Sequence, residues 1–203
     1  MSPHHAAEEA REAVVERKTG ETDIYLRLRV DGTGDSVVDT GIGFFDHMLT
    51  LFARHGFFDL EVRASGDLHT GGHHTVEDIG IALGAALDQA LGDKSGITRY
   101  GFAQLPMDEA LVAVTLDLSG RPFLGYEGKV ACATIGGFDT GLLPEFLQAV
   151  ANNARLTMHV AVIAGTNAHH MIEAVFKAFA RALDQATRSD ARVSGVPSTK
   201  GVL

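Results

Sequence analysis

An internal repeat constrains this chain more than any other feature. Residues 72–90 read GHHTVEDIGIALGAALDQA, and residues 168–186 read AHHMIEAVFKAFARALDQA. Set 96 positions apart, the two stretches align without a gap: His73-His74 falls on His169-His170, Glu77 on Glu173, and ALDQA on ALDQA. Upstream, DHMLTLFARHGFFDLEV (46–62) lies over PEFLQAVANNARLTMHV (144–160) at a separation of 98. Glu21–Val30 lies over Glu109–Leu118 at a separation of 88. Self-similarity on this scale means that one supersecondary unit is built twice, so any fold must accommodate two copies of the same layout.

The unit reads as follows. ETDIYLRLRV (21–30) and SVVDTG (36–41) alternate with period two, and the intervening DGTGD predicts a hairpin between them. FFDHMLTLFARHG (44–56) has helical spacing with a glycine stop. DLEVRASGD (59–67) reads as a strand, and 74–91 as a long apolar helix ending at Gly92. The second copy predicts strands at 103–106, 110–118 and 122–127, a helix at 141–154, a strand at 156–163 and a helix at 169–186. The fold class is therefore α+β: two duplicated halves, each a mostly antiparallel sheet with two helices, packed sheet to sheet or helix to helix. The expected division is a flexible N-terminus over 1–8, a first half over 9–95, a second half over 96–187 and a tail over 188–203, with the boundary near Ser95.

Composition removes several function classes. At 203 residues and 45% hydrophobic, the chain suits two small halves sharing a core. A formal net charge of −9 gives no basic footprint for nucleic acid. Cys132 is the only cysteine, which rules out an intramolecular disulfide and fits a reducing, cytoplasmic setting. The opening MSPHHAAEEAREA is too polar for a secretory signal, and its His4-His5 pair reads as an idle surface feature. The longest apolar runs, such as IGIALGAAL, span about nine residues, whereas a membrane helix needs roughly 20.

The repeated histidines point to metal. On a helix, neighbouring side chains diverge by about 100°, while positions three or four apart share a face. Glu77 can join His73 or His74, but the two histidines cannot easily hold one ion together. The natural reading is two ions, with each histidine of a pair serving a different one. His47, in the helix before the first pair, has Glu145 as its counterpart 98 positions on, and both are competent donors. The inventory is His47, His73, His74, Glu77, Glu145, His169, His170 and Glu173, four donors per ion, which leaves open positions on an octahedral cation. One isolated His-x-x-x-Glu arises often by chance; its recurrence at the same point of two matching halves does not. The nitrogen and oxygen donors suit Mn, Fe, Co, Ni or Zn.

At these residues the chain resembles the imidazoleglycerol-phosphate dehydratase family. FFDHMLTLFARHGFFDLEV, GDLHTGGHHTVEDIGIALG, RYGFAQLPMDEALV, DLSGRP, GTNAHHMIEAVFKAFARAL and PSTKGVL carry the resemblance, in order, from about Glu21 to Leu203. It implies duplicated halves of the ribosomal protein S5 domain 2-like kind and two Mn²⁺ per site. It also implies a cubic assembly of twenty-four subunits with sites between neighbouring chains. The family's metal positions fall on His47, His73, His74, Glu77, His169, His170 and Glu173; the eighth, ordinarily histidine, is Glu145 here. Many relatives also carry an aspartate just before the first pair, where this chain has Gly71-Gly72, so a hydrogen bond to one ligand is expected to be missing.

The resemblance implies dehydration of D-erythro-imidazoleglycerol phosphate to imidazoleacetol phosphate in histidine biosynthesis, a carbon–oxygen lyase reaction. The proton to be lost is not acidic, because no carbonyl stands beside it. The expected solution is a substrate imidazole held by both metals as imidazolate, which can expel the neighbouring hydroxyl before a base takes the carbon-bound proton. Glu21, which matches a substrate-contacting position, is the candidate base, with Glu173 as the other candidate. His47 and His55 are expected to touch substrate, and Arg99, Arg121, Ser198, Thr199 and Lys200 to hold its phosphate. A two-metal hydrolase and a metal-storage protein are the competing readings; the residues expected at the phosphate argue against storage.

Overall fold

The computed structural model describes residues 10–131 and 133–203. The expectations for 1–8, for His4-His5 and for Cys132 lie outside the described residues. The first half runs β1 (Glu12–Lys18), β2 (Thr22–Arg29), β3 (Ser36–Asp39), α1 (Gly43–Gly56), β4 (Asp59–Gly66), a 3₁₀ turn (Leu68–Thr70) and α2 (His73–Leu91). The second runs β5 (Tyr100–Met107), β6 (Ala110–Asp117), β7 (Phe123–Glu127), a small hairpin β8 (Thr134–Ile135) and β9 (Phe138–Asp139), α3 (Leu142–Asn153), β10 (Thr157–Ala164) and α4 (Ala168–Thr187). Strand orders are β1-β2-β4-β3 and β5-β6-β10-β7, so the two sheets are copies of one topology.

Each sheet turns one face inward because its strands alternate. Ile24, Leu26 and Leu28 of β2 and Leu60 and Val62 of β4 are buried, and the residues between them are more exposed. Two sequence expectations change. The strand β1 was not anticipated: it offers the core little beyond Ala13, and it is held by antiparallel pairing to β2. The predicted 21–30/36–41 hairpin does not form. Instead β2 pairs antiparallel with β4, and β3 pairs parallel with β4 on its other side. The α1 crossover between β3 and β4 makes the parallel pairing possible. With buried residues on alternate positions, β4 earns the inner place, and the four-residue β3 with its exposed Val37 suits an edge.

The helices lie between the sheets, and the halves meet helix on helix. α2 packs on β1 and β2, and α4 on β5 and β6. Across the middle α1 packs on α4, and α2 on α3, so each half's first helix meets the other half's second. Both pairs run parallel. His47 faces Glu173 and the His55 carbonyl faces Arg181; likewise Gly80 faces Phe146 and Ala149, and Gly84 faces Val150 and Asn153. All four helices consequently begin at one end. A Cβ on Gly72, just before α2, would stand 3.0 Å from Ile42, just before α1, and 3.6 Å from Leu142, the first residue of α3. Phe44 of α1 sits edge-on to His169 of α4, with ring centroids 5.0 Å apart.

One core serves both halves. Phe45 meets Phe138 and Phe146 at 5.6 and 5.3 Å, Phe146 stacks on Phe176 at 5.4 Å, and Phe52 meets Phe179 at 5.2 Å. The α2–α3 contact depends on Gly80 and Gly84. A Cβ at Gly84 would lie 2.7 Å from the Val150 carbonyl oxygen, and one at Gly80 would lie 2.9 Å from that of Phe146. Gly84→Ala therefore gains the helix propensity of alanine, about 1 kcal/mol, but must force backbone apart, at about 1–3 kcal/mol. Net destabilisation is expected in chemical unfolding. Gly20→Ala, with nothing within 4 Å of the added atom, is expected to stay within about 0.5 kcal/mol of wild type.

Candidate metal centre

The helix starts carry the residues expected to bind metal. His73 and His74 open α2, His169 and His170 lie in the first turn of α4, Glu145 lies in that of α3, and His47 comes just after that of α1. Asn167 caps α4 by accepting the His169 backbone N–H at 2.9 Å, which fixes where the pair begins.

Among the described residues, one group of donors already stands at metal-holding distance. A single donor atom from each of His47, His169 and Glu173 lies within 4.8 Å of the others. His169 Nε2 is 3.2 Å and His47 Nε2 3.6 Å from Glu173 Oε2. The Glu173 side chain is 8% exposed while the histidines are about half open, so the carboxylate anchors a site whose rim faces solvent. Burial pushes the Glu173 carboxyl up, but the hydrogen bond and charge of Lys177, with His47 and His169 beside it, outweigh burial and hold it below the usual range. Two imidazoles and one ionised carboxylate are a donor set that suits a divalent transition metal.

The first half arranges part of the same group. His73 Nε2 lies 3.5 Å from Glu77 Oε2, one helical turn on, as His169 lies from Glu173. Glu145 is exposed and does not close with these two into a second three-donor group among the described residues. His74 and His170 turn elsewhere. His74 Nδ1 is 3.1–3.2 Å from the Asp67 carboxylate, and His170 Nδ1 is 2.7 Å from Glu109 Oε2. Both imidazoles are consequently raised above the ordinary histidine range, chiefly by those hydrogen bonds. Glu109 is lowered to about 2 by His170 and by the Asn167 and Thr166 backbone N–H groups.

The remaining expected residues fall in two places. Glu21 sits at the head of β2, its Oε2 3.7 Å from His74 Nδ1. His55 lies near the end of α1; partial burial, with Lys177 and Arg181 nearby, lowers its pKa. Arg99 and Arg121 stand at the opposite end of the molecule. The Arg99 backbone N–H donates to the carbonyl of Ala186, at the far end of α4. Its guanidinium holds Asp117 through Nε and Nη2 at 2.7 and 3.1 Å, and the Pro197 carbonyl through Nη1 at 2.7 Å. The tail runs on through turns at Ser198–Gly201, Thr199 and Lys200 exposed, and ends with Leu203 against Gly120, beside Arg121.

Three residues stand outside the expected set: Lys177 and Asp67, which were missed, and Glu109, which reads in MDEAL as equally able to be structural. Lys177, 2.5 Å from Glu173 Oε1, stands at i+4 and was legible from helical spacing. Glu109 had a signal too, since it aligns with Glu21. Asp67 had none, because strand and turn geometry alone bring it to His74. It gives His74 a carboxylate contact, which Gly71 and Gly72, without side chains, cannot make.

A family model described as imidazoleglycerol-phosphate dehydratase matches residues 40–183. The imidazoleglycerol-phosphate dehydratase of Acetivibrio thermocellus is 60% identical over 189 residues, 93% of this chain and 97% of that protein. That of Geobacter sulfurreducens is 57% identical over 194 residues, 96% of this chain and all of that protein. The crystal structure of the Staphylococcus aureus enzyme superposes with a TM-score of 0.80 at 42% identity, covering 88% of this chain and 99% of that one. No described helix is long and apolar enough to cross a membrane.

A metal needs the unprotonated imidazole, so the expectation that His74 and His170 are ligands predicts that protons compete there to higher pH than at ordinary histidines. Affinity for a divalent cation should rise with pH from about 5.5 and level off only above the ordinary histidine value of about 6.5. Mn²⁺ titrations across this range test it; a flat profile contradicts it.

Proposed function

The chain belongs to the imidazoleglycerol-phosphate dehydratase family and is a carbon–oxygen hydro-lyase; from that premise we propose that it dehydrates D-erythro-imidazoleglycerol phosphate to imidazoleacetol phosphate, in the cytoplasm, with two Mn²⁺ per site. The observation that carries this reading is the convergence of His47, His169 and Glu173 at the start of α1 and α4. Bound there, the ions would supply Lewis acidity that stabilises the substrate imidazole as its anion and so makes the neighbouring hydroxyl a leaving group.

The helix geometry supports one partition of the ligands. His47, His169 and Glu173 form one set, and His73, Glu77 and Glu145 the repeat-related other. His74 and His170 diverge from their neighbours and cannot serve their own half's set. They are the donors left to complete a set on another chain.

Phosphate recognition also points to more than one chain. About 13 residues of α4 separate Glu173 from Ala186, a rise of ~20 Å. The substrate spans little more than two extended residues, ~7 Å. One molecule therefore cannot bridge Glu173 and the Arg99–Arg121–tail cluster of the same subunit. A neighbour supplies the second cluster, in keeping with the family's large twenty-four-subunit assembly. Arg99 uses three of its five N–H donors on Asp117 and Pro197, so it steadies the tail and still has donors for an anion. Ser198, Thr199, Lys200 and Arg121 complete the phosphate set.

Glu21 is assigned as the base that takes the carbon-bound proton. It is half exposed, without a hydrogen-bonding side-chain partner among the described residues, and stands beside His74. Glu173 is engaged by His47, His169 and Lys177, so its role is to hold and orient; His55 and His47 line the approach on α1.

Incubation with imidazoleglycerol phosphate and Mn²⁺ should give the ketone without release of inorganic phosphate; phosphate release would favour a hydrolase. Lys200→Ala should raise KM about 10-fold or more by removing one charge-assisted contact, with a smaller effect on kcat. An unchanged KM removes the tail from the site.

A further inference from the structure

The two histidines that turn away from their own half's donor set are each held by a carboxylate, but the carboxylates come from unlike places. In the second half it is Glu109, in the turn between β5 and β6. In the first half it is Asp67, which follows β4. The repeat makes the difference informative. The counterpart of Glu109 is Glu21, 88 positions earlier, and the counterpart of Asp67 is Gly165, 98 positions later. Each half has one orienting carboxylate, and neither half has it at the other's position.

We propose that Asp67 and Glu109 are paired positioning residues, each holding the Nδ1–H of its histidine so that Nε2 is presented to a metal, and that Asp67 thereby frees Glu21 for the substrate. This rests on the assignment of His74 and His170 as ligands. A carboxylate on one ring nitrogen sets the tautomer, fixes the ring plane and makes the other nitrogen a better donor. Glu109 is built for that fixed role. Its Oε1 accepts the backbone N–H groups of Thr166 and Asn167 at 3.1 and 2.8 Å, leaving Oε2 on His170. A carboxylate tied by three partners cannot swing to collect a proton. Glu21 occupies the corresponding place beside His74, but at 3.7 Å, beyond a hydrogen bond, because Asp67 already holds that nitrogen. Asp67 is itself steadied by the Thr70 hydroxyl at 3.1 Å. Gly165, with φ at +147° and Met171 packed where a Cβ would go, leaves no room for an aspartate in the second half. There Glu109 must do the orienting.

The test is Mn²⁺ affinity of the metal-free full chain, read from the electron paramagnetic resonance signal of free Mn²⁺, in wild type, Asp67→Asn, Glu109→Gln, Glu21→Gln and His170→Asn. Asp67→Asn and Glu109→Gln should each bind Mn²⁺ roughly 10–100-fold more weakly, and Glu109→Asp should recover part of the loss. Glu21→Gln should bind like wild type. The Co²⁺-loaded protein should show shifted visible absorption in the first two variants and not in Glu21→Gln, a signature that a merely structural defect does not produce. Each variant tests its own half, so misfolding of one leaves the other decisive. Wild-type affinity in both Asp67→Asn and Glu109→Gln, while His170→Asn is weakened, overturns this inference alone. Wild-type affinity in His170→Asn overturns the ligand assignment beneath it.

Discussion

The contact on which the rest of this structure depends is the parallel packing of each half's first helix on the other half's second. It brings four helix starts to one end, and with them every histidine and glutamate of the proposed metal set. That gathering has an electrostatic consequence. Each helix start carries roughly half a positive charge from its aligned peptide dipoles, so four of them would oppose a cation. Carboxylates at the same end answer that field: Glu77, Glu145 and Glu173 on the helices, Asp67 and Glu109 on the adjoining turns, and Asp46 in the first turn of α1, held by the Thr40 N–H and hydroxyl. Histidine alone would leave the field uncompensated. The mixture of imidazole and carboxylate is what four convergent helix starts require of a cation site.

The parallel arrangement also explains the interior. Helices side by side in register bring aromatic residues at matching heights, and the ladder Phe45–Phe146–Phe176 crosses from one half to the other. The two helix pairs are not equal. Gly80 and Gly84 let α2 approach α3 backbone to backbone, whereas their repeat partners in α4 are Phe176 and Ala180. The α1–α4 contact is filled by side chains instead. The donor group that is already closed, His47 with His169 and Glu173, lies over the side-chain-filled pair.

How much of this was legible varied with the range of the interaction. The four helices and the inner strands could be read because period 3.6 and period two are local signals, and the repeat supported each reading with a second copy. The His169–Glu173 contact was legible for the same reason: i, i+4 spacing places the two together whatever the tertiary fold. β1 was not legible, since a strand held by its neighbour's hydrogen bonds needs no apolar pattern of its own. The β2–β3 hairpin was misread because a turn signal says that the chain reverses without saying which strand it will join; the partner, β4, arrives some twenty residues later, after a helix. The distance between the metal end and the Arg99–tail cluster was hidden as well. It is set by the length and direction of α4 once folded, and motif order along the chain carries no such measure.

A duplicated scaffold meets a difficulty when the reaction it serves is asymmetric. Two equivalent halves can hold two cations symmetrically, but dehydration takes one proton from one carbon and one hydroxyl from another. Equivalent residues must therefore come to differ, and the differences found here lie where asymmetry is needed. His47 has Glu145 as its repeat partner, so the two proposed donor sets differ in charge. Glu109 is tied down by Thr166, Asn167 and His170, while its partner Glu21 is left loose. The loose glutamate can move toward a substrate and the tied one cannot. That distinction depends on a single carboxylate, Asp67, taking over the histidine in the first half. Apart from the His47/Glu145 exchange, the proposed ligands retain the symmetry of the duplication, and the residues behind them break it.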